Sequence, residues 1–244
     1  TLSYVGTNLT ITAKNASTFT ATLNPTSYTY DGTEKKPSVT VKDGENLLAV
    51  GTDYSFVYSD NINAGTGKVT ITGKGNYTGT KVLNFTINKR AITVKASDGT
   101  KTYDGAALTN AAVTLTEGTL VSGQSVTATA TGSITNVGST ANTVSSAVVK
   151  SGTTDVSGNY TITKTNGTLT VNKRTFTVKA EVKSKTYGAG DPGLTYTYSN
   201  QVSGQTPKFS GALSRDAGAQ VWTPEPPNNH ELHLHHSQNK AEKC

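Results

Sequence analysis

Apolar residues in this chain alternate with threonine, serine and lysine at a period of two. Val39 and Val41 bracket Thr40, Tyr54, Phe56 and Tyr58 share one parity, and Val69 and Ile71 flank Thr70. Side chains of a strand point alternately to opposite faces, so this pattern predicts half-buried β-strands. The segments between them, "KDGEN" (42–46), "SDNINAGTG" (59–67) and "GKGNYTG" (73–79), are dense in turn-forming residues. No apolar run has the helical period for more than a turn or two. The expectation is an all-β chain of many short strands.

The parity also marks boundaries. Leu83, Phe85 and Ile87 occupy odd positions, and after Asn88-Lys89-Arg90 the apolar set becomes Ile92, Val94 and Ala96, all even. The same flip recurs later, from Leu169 and Val171 to Phe176, Val178 and Ala180, around Asn172-Lys173-Arg174. A change of face at the same motif twice marks two strands meeting, the alternative being a β-bulge within one long strand. The flanking sequences repeat as well: "GNYTGTKVLNFTINKRAITVKA" (75–96) aligns with "GNYTITKTNGTLTVNKRTFTVKA" (158–180). Upstream lie "YDG" at 30–32, "YDG" at 103–105 and "YGAGDP" at 187–192, their tyrosines 73 and then 84 residues apart. Repeats of that length are the size of a small β-sandwich.

The layout expected is the end of a preceding module (1–15), a first module (16–89), a second (90–173), a partial third (174–220) and an atypical tail (221–244). "GTNLTIT" (6–12) resembles the closing strand "GTLTVN" (167–172), which is why 1–15 reads as a module's end. The third module has about half its strands before the tail begins, too few to bury its apolar faces.

Composition sharpens the class. The chain has 45 threonines and 24 glycines, and only 33% of its residues are hydrophobic, which suits strands and tight turns. The single Cys is Cys244, so no disulfide framework exists, and a cysteine-free set of exported β modules fits a bacterial protein better than a small eukaryotic secreted domain. There is no Met, so Thr1 reads as the start of an internal or processed piece. No apolar stretch is long enough to span a membrane as a helix. The net charge of +6 is spread along the chain, its tight pairs being Lys35-Lys36, Lys89-Arg90 and Lys173-Arg174. None is interleaved with the glycine and aromatic pattern of a nucleic-acid-binding strand, so no nucleic acid is expected.

Candidate chemistry is sparse. Residues 230–236, "HELHLHH", hold all four histidines: His230, His233, His235 and His236. Imidazoles at these spacings can chelate a transition metal. "HELH" is nevertheless one residue short of the H-E-x-x-H signature, and a polar segment with three prolines supplies no third ligand or closed pocket. The abrupt change of composition reads instead as a disordered or frame-shifted terminus, and no metal or other cofactor is expected. With no His before residue 230, no Ser-His-Asp triad can form within the repeats. Asp53, Asp60, Asp104 and Asp155 sit in turn-rich segments, where Asp usually bonds nearby backbone amides rather than acting as a glycosidase pair. "DGEN" and "DNIN" lack the ligand spacing of a calcium loop. Asn-x-Thr/Ser sites at Asn8, Asn15, Asn76, Asn84, Asn159 and Asn166 arise readily in a threonine-rich chain. A Lys–Asn isopeptide bond would need a buried lysine. Tyr30, Tyr103 and Tyr187 recur at one place in each repeat and read as core or turn anchors. No catalytic residue is assigned, and ligand-binding residues stay unassigned.

These residues carry a family resemblance. Residues 28–87 resemble the Ig-like repeats of large bacterial surface proteins, and the second module, opening on "KTYDGAALTN", resembles the YDG-type repeat of such proteins. "KTYGAGDPGLTYTYSNQVSGQTPKFSGALSRDAGAQ" (185–220) is similar to the MBG domain of YGX type. The resemblance implies tandem small Ig-like or β-sandwich modules in an extended array, on an extracellular bacterial cell surface. It implies no catalytic residues. The expected function is a non-enzymatic, adhesin-like spacer segment that projects other domains. The alternative is a carbohydrate- or protein-binding adhesion module, with Tyr54, Tyr196 and Tyr198 as candidate contacts for a host or bacterial glycan or protein. The partners otherwise expected are the neighbouring repeats.

Overall fold

The computed structural model describes residue 6 and residues 10–214. The histidine-rich stretch, the rest of the 221–244 tail and most of the first nine residues lie outside the described residues. Among the described residues the chain is built of strands, with two single-turn 3-10 helices, Ala16–Thr18 and Ser157–Asn159, and no α-helix. This is the all-β fold the alternation predicts. The chain divides into two compact units, each assembled from several segments. Among the described residues one comprises 10–97, 111–131 and 142–167, the other 98–110, 132–141 and 168–214.

In the first unit, residues 16–89 form two sheets. One runs in the order Thr20–Asn24, Ser38–Asp43, Asn46–Leu47, and the other Ser27–Thr29, Thr80–Asn88, Gly65–Gly73, Tyr54–Ser59. Alternation decides which side chains enter. Val69 and Ile71 are fully buried, opposite Leu83 and Lys81 of the neighbouring strand. Val41 from the smaller sheet joins Val69, Ile71, Phe85 and Ile87 from the larger one in a single core. That core does not stop at residue 89, because Ile92, Val149 and Tyr160 belong to it too. Arg90–Ala96 lies between Val113–Glu117, antiparallel, and Tyr160–Thr165, parallel. A smaller cluster of Val94, Ala96, Ala130 and Val144 completes the apolar packing of this part of the unit.

The flip of parity at Asn-Lys-Arg is a change of sheet. Thr80–Asn88 belongs to the four-stranded sheet and Arg90–Ala96 to a three-stranded one, with Lys89 between them. At the second copy Gly167–Asn172 ends, and Thr177–Ala180 opens a separate two-stranded sheet with Tyr196–Ser199.

In the second unit, Gly99–Thr102 runs parallel to Gly167–Asn172, pairing Thr100 with Thr170 and Thr102 with Asn172. The first unit holds the counterpart, Ser27–Thr29 parallel to Thr80–Asn88 with Thr29 opposite Asn88. Each copy therefore brings the strand before its Tyr-Asp-Gly alongside the strand that ends at Asn-Lys-Arg. Leu169 and Val171 are buried, and Phe209 packs against Phe176, Tyr196 and Tyr198 with ring centroids 5.5–6.4 Å apart. Among described residues 174–214 no side chain is fully buried.

Candidate functional site at the repeat junctions

Among the described residues, hydrogen-bonded polar side chains join segments of one sequence copy to segments of the next. At the first junction the chain enters Tyr30 from the strand Ser27–Thr29, and the Tyr30 amide donates to the Asn88 carbonyl at 2.9 Å. The Tyr30 ring is 3% exposed and meets Tyr160 edge-on at 5.6 Å. Gln124 bridges the two phenols: its Nε2 donates to the Tyr30 hydroxyl (2.9 Å), and the Tyr160 hydroxyl donates to its Oε1 (2.6 Å). The Val121 amide donates in turn to the Tyr160 hydroxyl at 3.1 Å. Every side-chain polar atom of this trio has a partner, the condition under which hydrogen bonds around buried phenols stabilise rather than cost. Two further residues hold the junction, Arg90 at the turn that carries Val121 and Gln124, and Asn159 at residues 63–64. Arg90 donates through Nε to the Thr119 carbonyl (2.6 Å) and through Nη2 to the Thr119 hydroxyl. Asn159 accepts from the Ala64 amide (2.8 Å) and donates to Asn63.

The second unit builds the same junction from the next copy. Tyr103 donates its amide to the Asn172 carbonyl at 2.9 Å. Gln205 Nε2 donates to the Tyr103 hydroxyl at 2.8 Å. Arg174 donates to the carbonyl of Asn200 (2.5 Å) and to its side-chain oxygen (2.8 Å), and reaches the Tyr103 carbonyl at 3.3 Å. The turn conformation is shared, since the Gln124 amide donates to the Val121 carbonyl and the Gln205 amide to the Val202 carbonyl, both at 3.0 Å.

The glycine of each Tyr-Asp-Gly explains the closeness of the fit. Gly32 and Gly105 have φ of +79° and +83°, which favours glycine. A Cβ at Gly32 would lie 3.0 Å from Val121 Cγ1, and one at Gly105 would lie 3.1 Å from Val202 Cγ1. A bare backbone therefore seats a valine methyl at each junction.

The aspartates shape these turns. Asp31 accepts from the Thr33 amide and hydroxyl and pairs with Lys35, whose side chain is buried. Those bonds, the Lys35 ammonium first, lower its pKa to about 2. Asp104 accepts from the Ala106 amide at 3.0 Å and from Lys101 at 2.6 Å, and the lysine is the main cause of its lowered pKa. Lys35 is the buried lysine that an isopeptide bond would need. Its ammonium sits on Asp31 and on both oxygens of Thr33 rather than on an asparagine.

The other candidates have local roles. Asp53 accepts from the Ala49 amide, Asp155 from the Ser157 amide, and Asp60 pairs with Lys68. In "DGEN", Asp43 pairs with Lys14. Of the glycosylation-type sites, Asn159 is buried in the first junction. Tyr54 is a core residue, 4% exposed, stacked on Phe56. Tyr196 and Tyr198 sit beside Phe209 on the strand Tyr196–Ser199. Among the described residues no group of three potential metal ligands comes together.

Sequence reasoning singled out the tyrosines and the Asn-Lys-Arg motif but missed their partners. The missed signal is the tetrapeptide Val-Ser-Gly-Gln, present verbatim at 121–124 and 202–205. Its spacing of 81 residues is close to the 84 between the Asn-Lys-Arg motifs.

Compared with known proteins, residues 176–224 match the family model of the MBG domain (YGX type). No curated protein and no solved structure matches the chain.

Proposed function

We propose that this chain is a structural spacer segment of a bacterial cell-surface protein, its repeats stiffened at their junctions so that they hold other domains away from the cell. The MBG domain is a cell-surface repeat type, compatible with a surface structural segment. The Ig-like and YDG-type identities of the two preceding repeats, the tandem array and the absence of an enzymatic role are parts of this same reading. The observation that carries it is the duplicated junction: tyrosine, arginine, valine and glutamine take equivalent places at both. A spacer works by resisting bending, and flexible linkers between repeats would defeat that purpose. Here the connection between strands is the single residue Lys89, and the first core runs across it.

Native-state hydrogen exchange tests the reading. The amides of Tyr30 and Val121 are expected to exchange with the core strand amides of Val69 and Ile71, because opening them requires parting the two repeats. Exchange as fast as that of the exposed turns would contradict a stiff junction.

The alternative, an adhesion module that binds a glycan or protein itself, draws on the partly exposed Tyr196 and Tyr198 beside Phe209. It requires a hit on a glycan array that is lost in Tyr196→Ala and Tyr198→Ala, whereas the spacer reading expects no such hit.

A further inference from the structure

The third tyrosine of the series, Tyr187, stands in a different state from the first two. Tyr30 is 3% exposed and Tyr103 is partly covered, but Tyr187 is 85% exposed. Its turn nevertheless shares features with the turn that follows Tyr103. Lys101 and Lys185 both stand two residues before the tyrosine. Each holds an aspartate of the turn at 2.6 Å, Asp104 and Asp191 respectively. Each also donates to an alanine carbonyl of the turn, Ala106 and Ala189. Gly188 has φ of +82°, the conformation of Gly32 and Gly105, one position earlier after the tyrosine. At Gly32 and Gly105 a Cβ would meet a valine methyl at 3.0 and 3.1 Å, whereas at Gly188 nothing among the described residues lies within 4 Å.

We infer that the turn Tyr187–Asp191 is a docking surface for the Val-Ser-Gly-Gln turn of another repeat module. The occupant is defined by the chemistry of the two filled junctions. A valine methyl seats on the positive-φ glycine, and a glutamine amide hydrogen-bonds the tyrosine hydroxyl. This chain's own two such turns are engaged with Tyr30 and Tyr103, so the occupant comes from a further module. The inference rests on the spacer reading and extends it, because the same code would then join this segment to the next.

The test uses the full chain and a synthetic peptide of residues 200–208 closed into a loop, with tyrosine nitration mapped residue by residue by mass spectrometry. At millimolar peptide, Tyr187 is expected to nitrate several-fold more slowly. A control peptide with alanine at the positions of Val202 and Gln205 should leave the rate unchanged. The docking inference is overturned if Tyr187 nitrates at one rate with no peptide, with the native-sequence peptide and with the control, while Tyr30 and Tyr103 stay protected throughout. If Tyr30 and Tyr103 nitrate as fast as Tyr187 in the untreated chain, the junctions themselves are not formed, and the spacer reading falls with the inference.

Discussion

At the scale of single residues, the first junction turns on Gln124 and the aspartate turn beside it. Gln124→Ala removes a group that serves two buried phenols, taking away the donor to the Tyr30 hydroxyl and the acceptor of the Tyr160 proton, while the Val121 amide still donates to Tyr160. The expected loss is roughly 1–3 kcal/mol, read as a lowered urea midpoint. Tyr30→Phe removes one hydroxyl and is expected to cost less, about 1 kcal/mol. An equal loss for the two variants would argue that Gln124 does not bridge. Asp31 gives a pH signature. Its pKa is lowered in the folded state to about 2, against about 3.9 in an unfolded chain. The stabilisation is therefore complete above about pH 4 and vanishes as pH falls through about 2. Asp31→Asn is expected to be less stable than the parent at pH 7, by on the order of 1 kcal/mol because the carboxylate stays half in water. That difference should close between pH 4 and pH 2 in a series of urea melts. A difference that persists unchanged at pH 2 would mean that the Lys35–Asp31 pair is not what the aspartate contributes.

At the scale of elements, the Asn-Lys-Arg motif ends one strand, changes sheet and supplies the arginine that pins the next repeat's turn. Arg90→Ala removes two hydrogen bonds to Thr119, and Arg90→Lys is not expected to restore them, because an ammonium cannot present two donors in a fixed fork. Both variants should raise hydrogen exchange at Val121 and Gln124 while leaving Val69 and Ile71 unchanged. Equal protection in parent and variants would remove the arginine from the account. Gly167→Ala addresses the packing of Gly167 against Arg90–Ala96, where a Cβ would lie 2.4 Å from the Ala96 carbonyl oxygen. Backbone must move to admit it, and a loss above about 2 kcal/mol is expected in thermal or urea melts. The strands themselves were legible in the sequence because threonine alternation is a local signal. Val69, Ile71, Phe85 and Ile87 were readable as one buried face, and the parity flip located the change of sheet to within a residue. The parallel pairing of Ser27–Thr29 with Thr80–Asn88 was not legible, because it joins segments more than fifty residues apart and no turn between them sets the register.

At the scale of the whole molecule, repetition was legible and the junctions only half so. Tyr30 and Tyr103 could be read as anchors from their recurrence, but what they anchor lies about one repeat downstream, and a search confined to one repeat does not pair them with Val-Ser-Gly-Gln. Tyr54 shows the opposite limit. An aromatic on an alternating strand can face solvent or core, and only the packing of Phe19, Phe85 and Tyr54 into one cluster decides it. Stiff rather than loose connection of successive repeats has a direct physical readout. Nitroxide labels at Val82→Cys and Ser146→Cys, both exposed and on either side of the first junction, report the distance between repeats by pulsed electron resonance once Cys244→Ser has removed the native thiol. A stiff junction gives one narrow distance distribution in the otherwise unaltered chain, broadened when Arg90→Ala and Gln124→Ala are combined. A broad distribution before either substitution would contradict it.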